Sequence, residues 1–146
     1  MVKRTIQCTL FFTVVALFSW TASALNSHGA AKPATIDDGF SVKEYEHFHH
    51  VLHPLEHEAL PKKDFKTIRA KAGDLVTLGE AILNLGVPRG VEEKNVDKFK
   101  EGLGKFGDAL VKFKTDAEAG TDDQLKESYI SVHDSFEILA GMLPRK

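Results

Sequence analysis

The side chains of this sequence that are best suited to chemistry are its histidines, five of which fall within eleven residues. These five are His47, His49, His50, His53 and His57. Residues four apart on a helix lie on one face, so His49, His53 and His57 should form a continuous line. Two imidazoles at this spacing can bind one divalent transition-metal ion at about 2 Å without bending the helix. The alternative that these residues leave open is a solvated histidine-rich surface that titrates at about pH 6.5.

His133 stands apart from this cluster, at the margin of the apolar stripe of the last predicted helix. The first and last helices of an antiparallel four-helix bundle are neighbours, and His53 and His133 lie at similar depths along them. Carboxylates near His133 are placed to ligate a metal or to orient the imidazole, since Asp134 is adjacent and Glu137 follows by four residues. We therefore predict one metal site shared by the first and last helices. Its predicted ligands are His49, His53, His57, His133 and Glu137.

Four amphipathic segments must position these side chains. Their apolar stripes run from Tyr45 to Ala59, from Phe65 to Leu85, from Val96 to Phe113 and from Leu125 to Leu143. The apolar residues recur at helical spacing, and short segments rich in proline and glycine separate them. The pattern predicts an all-α fold, an antiparallel up-down-up-down four-helix bundle.

Two capping boxes and one proline refine this prediction. The segments that begin at Ser41 and at Thr121 each have Glu or Gln three residues later, which predicts a helix start at both positions. Pro54 lies inside the first helix and cannot donate to the carbonyl of His50, so it should kink or loosen that turn. Whether Pro54 opens a site or only bends the helix is left undecided by the sequence.

The N-terminus has the pattern of a secretory signal peptide. Lys3 and Arg4 precede an apolar run that ends in the small-residue triplet at positions 22–24, which predicts cleavage after Ala24. The alternative is a retained membrane anchor, but a span needs about 20 continuous apolar residues and this run is interrupted by Thr13 and Ser19. The prediction therefore gives a signal peptide over 1–24, with no membrane anchor once it is cleaved.

Cleavage would leave a periplasmic or secreted chain with a flexible leader over 25–40 and a helical domain over 41–146. Cys8 would be lost with the signal peptide, so the remaining chain could form neither a disulfide nor a cysteine-ligated metal site. It would keep all seven histidines, with 17 basic against 21 acidic side chains. This near balance argues against a nucleic-acid partner.

The last predicted helix resembles a known haem-attachment helix over residues 128–136. In the cytochrome c′ and c556 family, two cysteines two residues apart are followed by the axial histidine, an acidic pair and an aromatic residue. Three residues here match that pattern: His133, Asp134 and Phe136. Tyr129 and Val132 occupy the cysteine positions, which excludes covalent haem. The resemblance implies a four-helix bundle in which haem b could bind without covalent attachment, with His133 and a first-helix histidine as axial ligands.

The first predicted helix is similar to that of periplasmic helical nickel and cobalt sensors. In those proteins a helix with two histidines four apart faces a later helix with a histidine and a sulfur ligand four apart. His49 and His53 match the first element, and His133 and Glu137 match the second with a carboxylate in place of the thioether. The resemblance implies a harder site, suited to zinc, nickel or cobalt more than to copper(I).

Enzymatic motifs are lacking, so no catalytic residue is predicted. The nearest approach to HExxH is the segment from His53 to His57, whose glutamate stands in the wrong place. A di-iron site needs a Glu-x-x-His element on two helices, and the pair Glu46 and His49 has no counterpart on a second predicted helix. The sequence therefore predicts a metal-binding protein for sensing, buffering or delivery of zinc, nickel, cobalt or copper. The alternatives are a haem-binding bundle and a scaffold; a homodimer or a membrane-sensor partner is left open.

Overall fold

The computed structural model describes residues 39–144 of the chain, and every structural statement below concerns that range. It contains four helices: α1 (Lys43–Pro54), α2 (Phe65–Leu85), α3 (Val96–Ala119) and α4 (Asp122–Ala140). A π-helical segment, Leu55–Ala59, continues α1, and a short 3₁₀ turn, Glu93–Asn95, precedes α3. No β-strand occurs between residues 39 and 144, which confirms the all-α prediction. The predicted signal peptide, and the leader up to residue 38, lie outside the described residues.

The buried faces of the four helices meet in one hydrophobic core. Seven of its aromatic side chains are fully buried: Tyr45, Phe48, Phe99, Phe106, Phe113, Tyr129 and Phe136. Phe136 of α4 contacts α1 through the rings of Phe48 and Tyr45, with centroid separations of 4.9 and 5.8 Å. Burying rings of this size supplies a large part of the folding free energy. No helix within residues 39–144 is both long enough and apolar enough to cross a membrane.

One of the two predicted capping boxes is confirmed and the other is wrong. Thr121 and Gln124 cap α4 reciprocally, each side chain bonding the backbone N–H of the other residue. At α1 the cap position belongs to Val42, whose side chain offers no acceptor. Ser41 instead donates its hydroxyl to the carbonyl of Pro144 at 2.6 Å, because the chain that follows α4 lies beside the start of α1.

Pro54 changes the hydrogen bonding of the first helix. The α-helical part of α1 ends at this proline, and the chain goes on as a π-helix in which the N–H of Leu60 bonds the carbonyl of Leu55 at 2.8 Å. The N–H of Asp64 bonds the carbonyl of Ala59 at the same five-residue spacing. Proline has no N–H to continue the α-helical pattern, and π-helical turns occur frequently at functional sites. The expected loosening at Pro54 therefore takes the form of a π-helical turn.

Polar contacts tie α2 to the end of α3. The guanidinium of Arg69 donates to the carbonyls of Asp116, Ala117 and Gly120 at 2.8, 3.0 and 2.9 Å. It also pairs with the carboxylate of Asp122 at 3.0 Å. The last carbonyls of a helix have no partner within the helix. Arg69 therefore satisfies three carbonyls at the C-terminal end of α3 with one side chain.

Asp116 is a buried carboxylate at the same end of α3. A hydrogen bond from the Lys112 ammonium, 2.7 Å away, lowers the pKa of Asp116, with a further contribution from Ser128 and against the opposing effect of burial. Because the pKa of the folded state is below the unfolded value of about 3.9, ionised Asp116 stabilises the fold above that pH. This contribution is lost as the pH falls through the pKa of the folded state.

We expect the substitution Asp116→Asn to destabilise the protein at pH 7 and to have a smaller effect at pH 3. The amide cannot form the ion pair with Lys112, and below about pH 3.9 the unfolded wild type takes up a proton at Asp116, so the wild type also loses part of this stabilisation. Urea unfolding of both proteins at the two pH values measures the difference. An equal destabilisation at pH 7 and pH 3 would contradict the assigned role of the Asp116 charge.

Candidate functional site

One carboxylate lies between histidines from the two ends of the described chain. The Oε2 atom of Glu56 is 2.8 Å from Nε2 of His133 on α4 and 3.6 Å from Nε2 of His57 in the π-helical segment. The side chain of His133 is 20% exposed, that of Glu56 32% and that of His57 58%, so the group lies at the edge of the core. Side chains at this depth are reached by solvent ions but are held by packing on one side.

A buried hydrogen bond fixes the distance between the two elements that carry this group. The hydroxyl of Tyr129 on α4 donates to the carbonyl of Leu52 on α1 at 2.8 Å. Glu56 and His133 each lie four residues after these two partners, so the bond holds the helices one turn away from the carboxylate. The negative charge of Glu56 is close enough to add to the effect of burial, which raises the pKa of Tyr129. Tyr129 is therefore neutral and acts as the donor.

His133 also contacts a second carboxylate. Its Nδ1 atom is 3.1 Å from Oδ1 of Asp134, while its Nε2 atom faces Glu56. Ionised carboxylates only accept hydrogen bonds, so both contacts are hydrogen bonds at once only when each ring nitrogen of His133 carries a proton. A metal ion at Nε2 would take the place of one of these protons. Asp134 would then hold the ring from behind, as carboxylates do in many metal sites.

The line of histidines predicted along α1 is present. The ring centroids of His49 and His53 are 5.2 Å apart, and those of His53 and His57 are 4.3 Å apart. The ring of His49 lies against Phe40 and Phe136, with centroid separations of 5.3 and 6.2 Å. We call His49, His53 and His57 the histidine ladder. Its first ring is half-buried, and its other two rings are exposed.

The structure brings together only some of the predicted ligands. His57 and His133 approach the same carboxylate, while His49 lies at the opposite end of the histidine ladder. Glu137 is exposed and, within residues 39–144, has no hydrogen bond or ion pair with a histidine. Asp134, which the sequence also indicated, holds the place next to His133. No group of three or more His, Cys, Asp or Glu side chains in this part of the chain is already arranged to hold a metal ion.

Glu56 is the residue of this site that the sequence prediction missed. It precedes His57 by one position, and on an α-helical wheel it is not in line with the histidine ladder. Its contact with His133 depends on how α4 packs against α1, which the spacing within one helix does not show. The only signal in the sequence was a glutamate near two histidines at metal spacing, together with the proline between them.

Comparison with known proteins adds no assignment. No family model, curated protein or solved structure matches this chain. The resemblances to cytochromes c′ and to nickel and cobalt sensors therefore stay predictions that depend on short stretches of sequence.

Proposed function

We propose that this protein binds a divalent transition-metal ion between the π-helical segment and α4, and that it serves in periplasmic metal sensing, buffering or delivery. The proposed ligands are Glu56, His57 and His133. One observation carries the proposal: imidazole nitrogens from two separate elements lie 2.8 and 3.6 Å from one carboxylate oxygen. Such convergence of imidazole and carboxylate groups is typical of zinc-class sites.

The two distances from Glu56 to the histidines are close to those between the ligands of one metal ion. Ligand atoms about 2.05 Å from a tetrahedral zinc ion are about 3.3 Å from one another. The separation between Glu56 and His57 is slightly longer than this, at 3.6 Å, and that between Glu56 and His133 is shorter, at 2.8 Å. Opening the Glu56–His133 hydrogen bond by about half an ångström would bring that pair to the separation of two zinc ligands. We expect the metal to replace that hydrogen bond and to leave the Tyr129–Leu52 bond intact.

The chemistry of the ligands favours particular metals. Two imidazoles and a carboxylate suit zinc, nickel, cobalt or copper(II), whereas copper(I) prefers sulfur ligands. The described residues contain no cysteine, and the single methionine among them, Met142, packs partly buried against the core. Three protein ligands leave at least one position for water or for a ligand from a partner, which fits an ion that has to be exchanged.

The proposal includes the antiparallel up-down order of the helices, which several contacts support. Ser41, before α1, bonds Pro144, which follows α4. Arg69, in the first turn of α2, bonds the last carbonyls of α3. Both contacts join the start of one helix to the end of another, as antiparallel neighbours require. The periplasmic location rests only on the signal-peptide pattern of residues 1–24.

The haem alternative has less support from the packing. Phe136 is fully buried and contacts the rings of Tyr45, Phe48 and His49. A haem held between α1 and α4 would need the space that this ring fills. The scaffold alternative treats the Glu56–His133 pair as a structural bond only, and it predicts no metal affinity at that pair.

Zinc titration of the protein, expressed with its own leader and purified without a histidine tag, tests the proposal. We expect Glu56→Gln and His133→Ala each to weaken binding of the tightest zinc ion by at least about tenfold, since each removes a ligand. His47→Ala is the matched control, because His47 is an exposed histidine of the same helix outside the histidine ladder. Far-UV circular dichroism confirms that each variant is folded. Wild-type zinc affinity in the His133→Ala variant would refute the proposed site.

A further inference from the structure

His49 and His53, the first two residues of the histidine ladder, have the ring separation expected of two ligands of one metal ion. We propose that His49 and His53 hold a second, weaker ion of the same zinc class, separate from the ion at Glu56, His57 and His133. This inference rests on the proposed function and extends it. The sequence predicted a single shared site. This inference divides its histidines between two metal positions.

The spacing of the rings distinguishes the two pairs of neighbours in the histidine ladder. A zinc-bound imidazole has its ring centre about 3.2 Å from the ion, so two such rings at a tetrahedral angle have centres about 5.2 Å apart. The His49 and His53 rings are separated by 5.2 Å, whereas His53 and His57 are only 4.3 Å apart. The first pair therefore already has the separation that a shared ion needs. The second pair is more closely spaced than two ligands at a tetrahedral angle.

Distance along the helix separates this position from the one at α4. His49 precedes Glu56 by seven residues, which corresponds to about 10 Å at a rise of about 1.5 Å per residue. One ion with ligand distances of about 2 Å cannot span that length. The 2.8 Å contact between His133 and Glu56 holds His133 near the π-helical segment. His49 and His133 should therefore bind different ions.

Packing restricts the orientation of one of the two proposed ligands, His49. The ring of His49 is half-buried and lies against Phe40 and the fully buried Phe136, so its orientation is restricted. His53 is exposed and can adjust its rotamer to meet an ion. A restricted ligand loses less conformational entropy on binding than a mobile one. With only two protein ligands and water in the remaining positions, the ion should bind less tightly than the one at Glu56.

Calorimetric titration with zinc tests this inference on the same full-chain preparation. We expect two ions in the wild type, with affinities that differ by at least about tenfold. His49→Ala and His53→Ala should each remove the weaker ion and keep the tighter one, and His133→Ala should do the reverse. Because His53 is exposed, we expect the His53→Ala variant to fold normally. The control is His47→Ala, which should keep both ions.

The possible failures of the two proposals can be told apart. A single ion in the wild type, or two ions in both His49→Ala and His53→Ala, would overturn the second position while leaving the Glu56 site unaffected. If the tighter ion still binds to the His133→Ala variant but not to the His49→Ala variant, the proposed function is refuted as formulated. The tighter site would then lie at His49 and His53. Loss of one weak ion in His49→Ala and His53→Ala alone supports the inference.

Discussion

Replacing Arg69 by methionine should lower the free energy of unfolding by about 3 kcal/mol, because each hydrogen bond to a charged group contributes about 1.5–3 kcal/mol and several are lost together. The guanidinium bonds three carbonyls at the end of α3 and the carboxylate of Asp122, and its side chain is 29% exposed. Methionine keeps the length of the aliphatic stem but has no donor. The carbonyl of Asp116 would keep its bond from the N–H of Gly120, whereas that of Ala117 would lose the bond from Arg69 in a partly buried position.

Two further variants separate the geometry of Arg69 from its charge. Arg69→Lys keeps the positive charge but presents a compact ammonium that cannot reach all four acceptors, so we expect an intermediate loss of stability. Lys71→Met, on the same helix, removes an exposed cation paired with Asp74 and should cost less than about 0.5 kcal/mol. Urea unfolding at pH 7 measures all three. A loss for Arg69→Met no larger than that for Lys71→Met would show that the bonds to α3 contribute little.

Local patterns in the sequence were enough to predict the helices. The apolar stripes predicted α2 and α3 because the periodicity of buried side chains ends at glycines and prolines that terminate these helices. The Thr121 capping box was predicted for the same reason, since its two partners are three residues apart. Interactions of this kind depend on neighbouring residues alone. A single sequence contains everything that determines them.

Contacts between distant residues account for the incorrect or missing predictions. Ser41 has the residue type of a cap, but its hydroxyl bonds Pro144, a partner 103 residues away. The predicted leader ends at Phe40, and the ring of this residue packs on His49 and Phe136. Partners this far apart along the chain are visible only in the folded structure.

In the candidate site, too, the sequence predicted local spacing but not the contacts between distant residues. The histidine ladder follows from the four-residue spacing, and the sequence indicated Asp134 and Glu137 as the carboxylates near His133. The structure places Glu56 next to His133, because each of them lies one helical turn after the Leu52–Tyr129 hydrogen bond that joins α1 to α4. The partners of that hydrogen bond are 77 residues apart, so the spacing within one helix does not show which carboxylate faces His133.

Tyr129→Phe should destabilise the protein by about 1.5 kcal/mol, whereas Tyr45→Phe should leave its stability unchanged or raise it slightly. Both rings are fully buried, and burial raises the pKa of both hydroxyls, so each is neutral. They differ in their partners. Tyr129 donates to the carbonyl of Leu52, while the hydroxyl of Tyr45 is buried with no hydrogen-bond partner among the described residues.

The two variants form a matched pair, since each removes one oxygen atom from a buried ring. A buried hydroxyl without a partner has lost its hydrogen bonds to water without replacement, so its removal costs nothing beyond a small void. Removing the hydroxyl of Tyr129 takes a bond from the carbonyl of Leu52 at the point where α1 and α4 meet. Urea unfolding of the two variants measures the difference, and equal destabilisation would contradict it. Because that bond lies one turn from Glu56 and His133, Tyr129→Phe should also weaken zinc binding several-fold, whereas Tyr45→Phe should not.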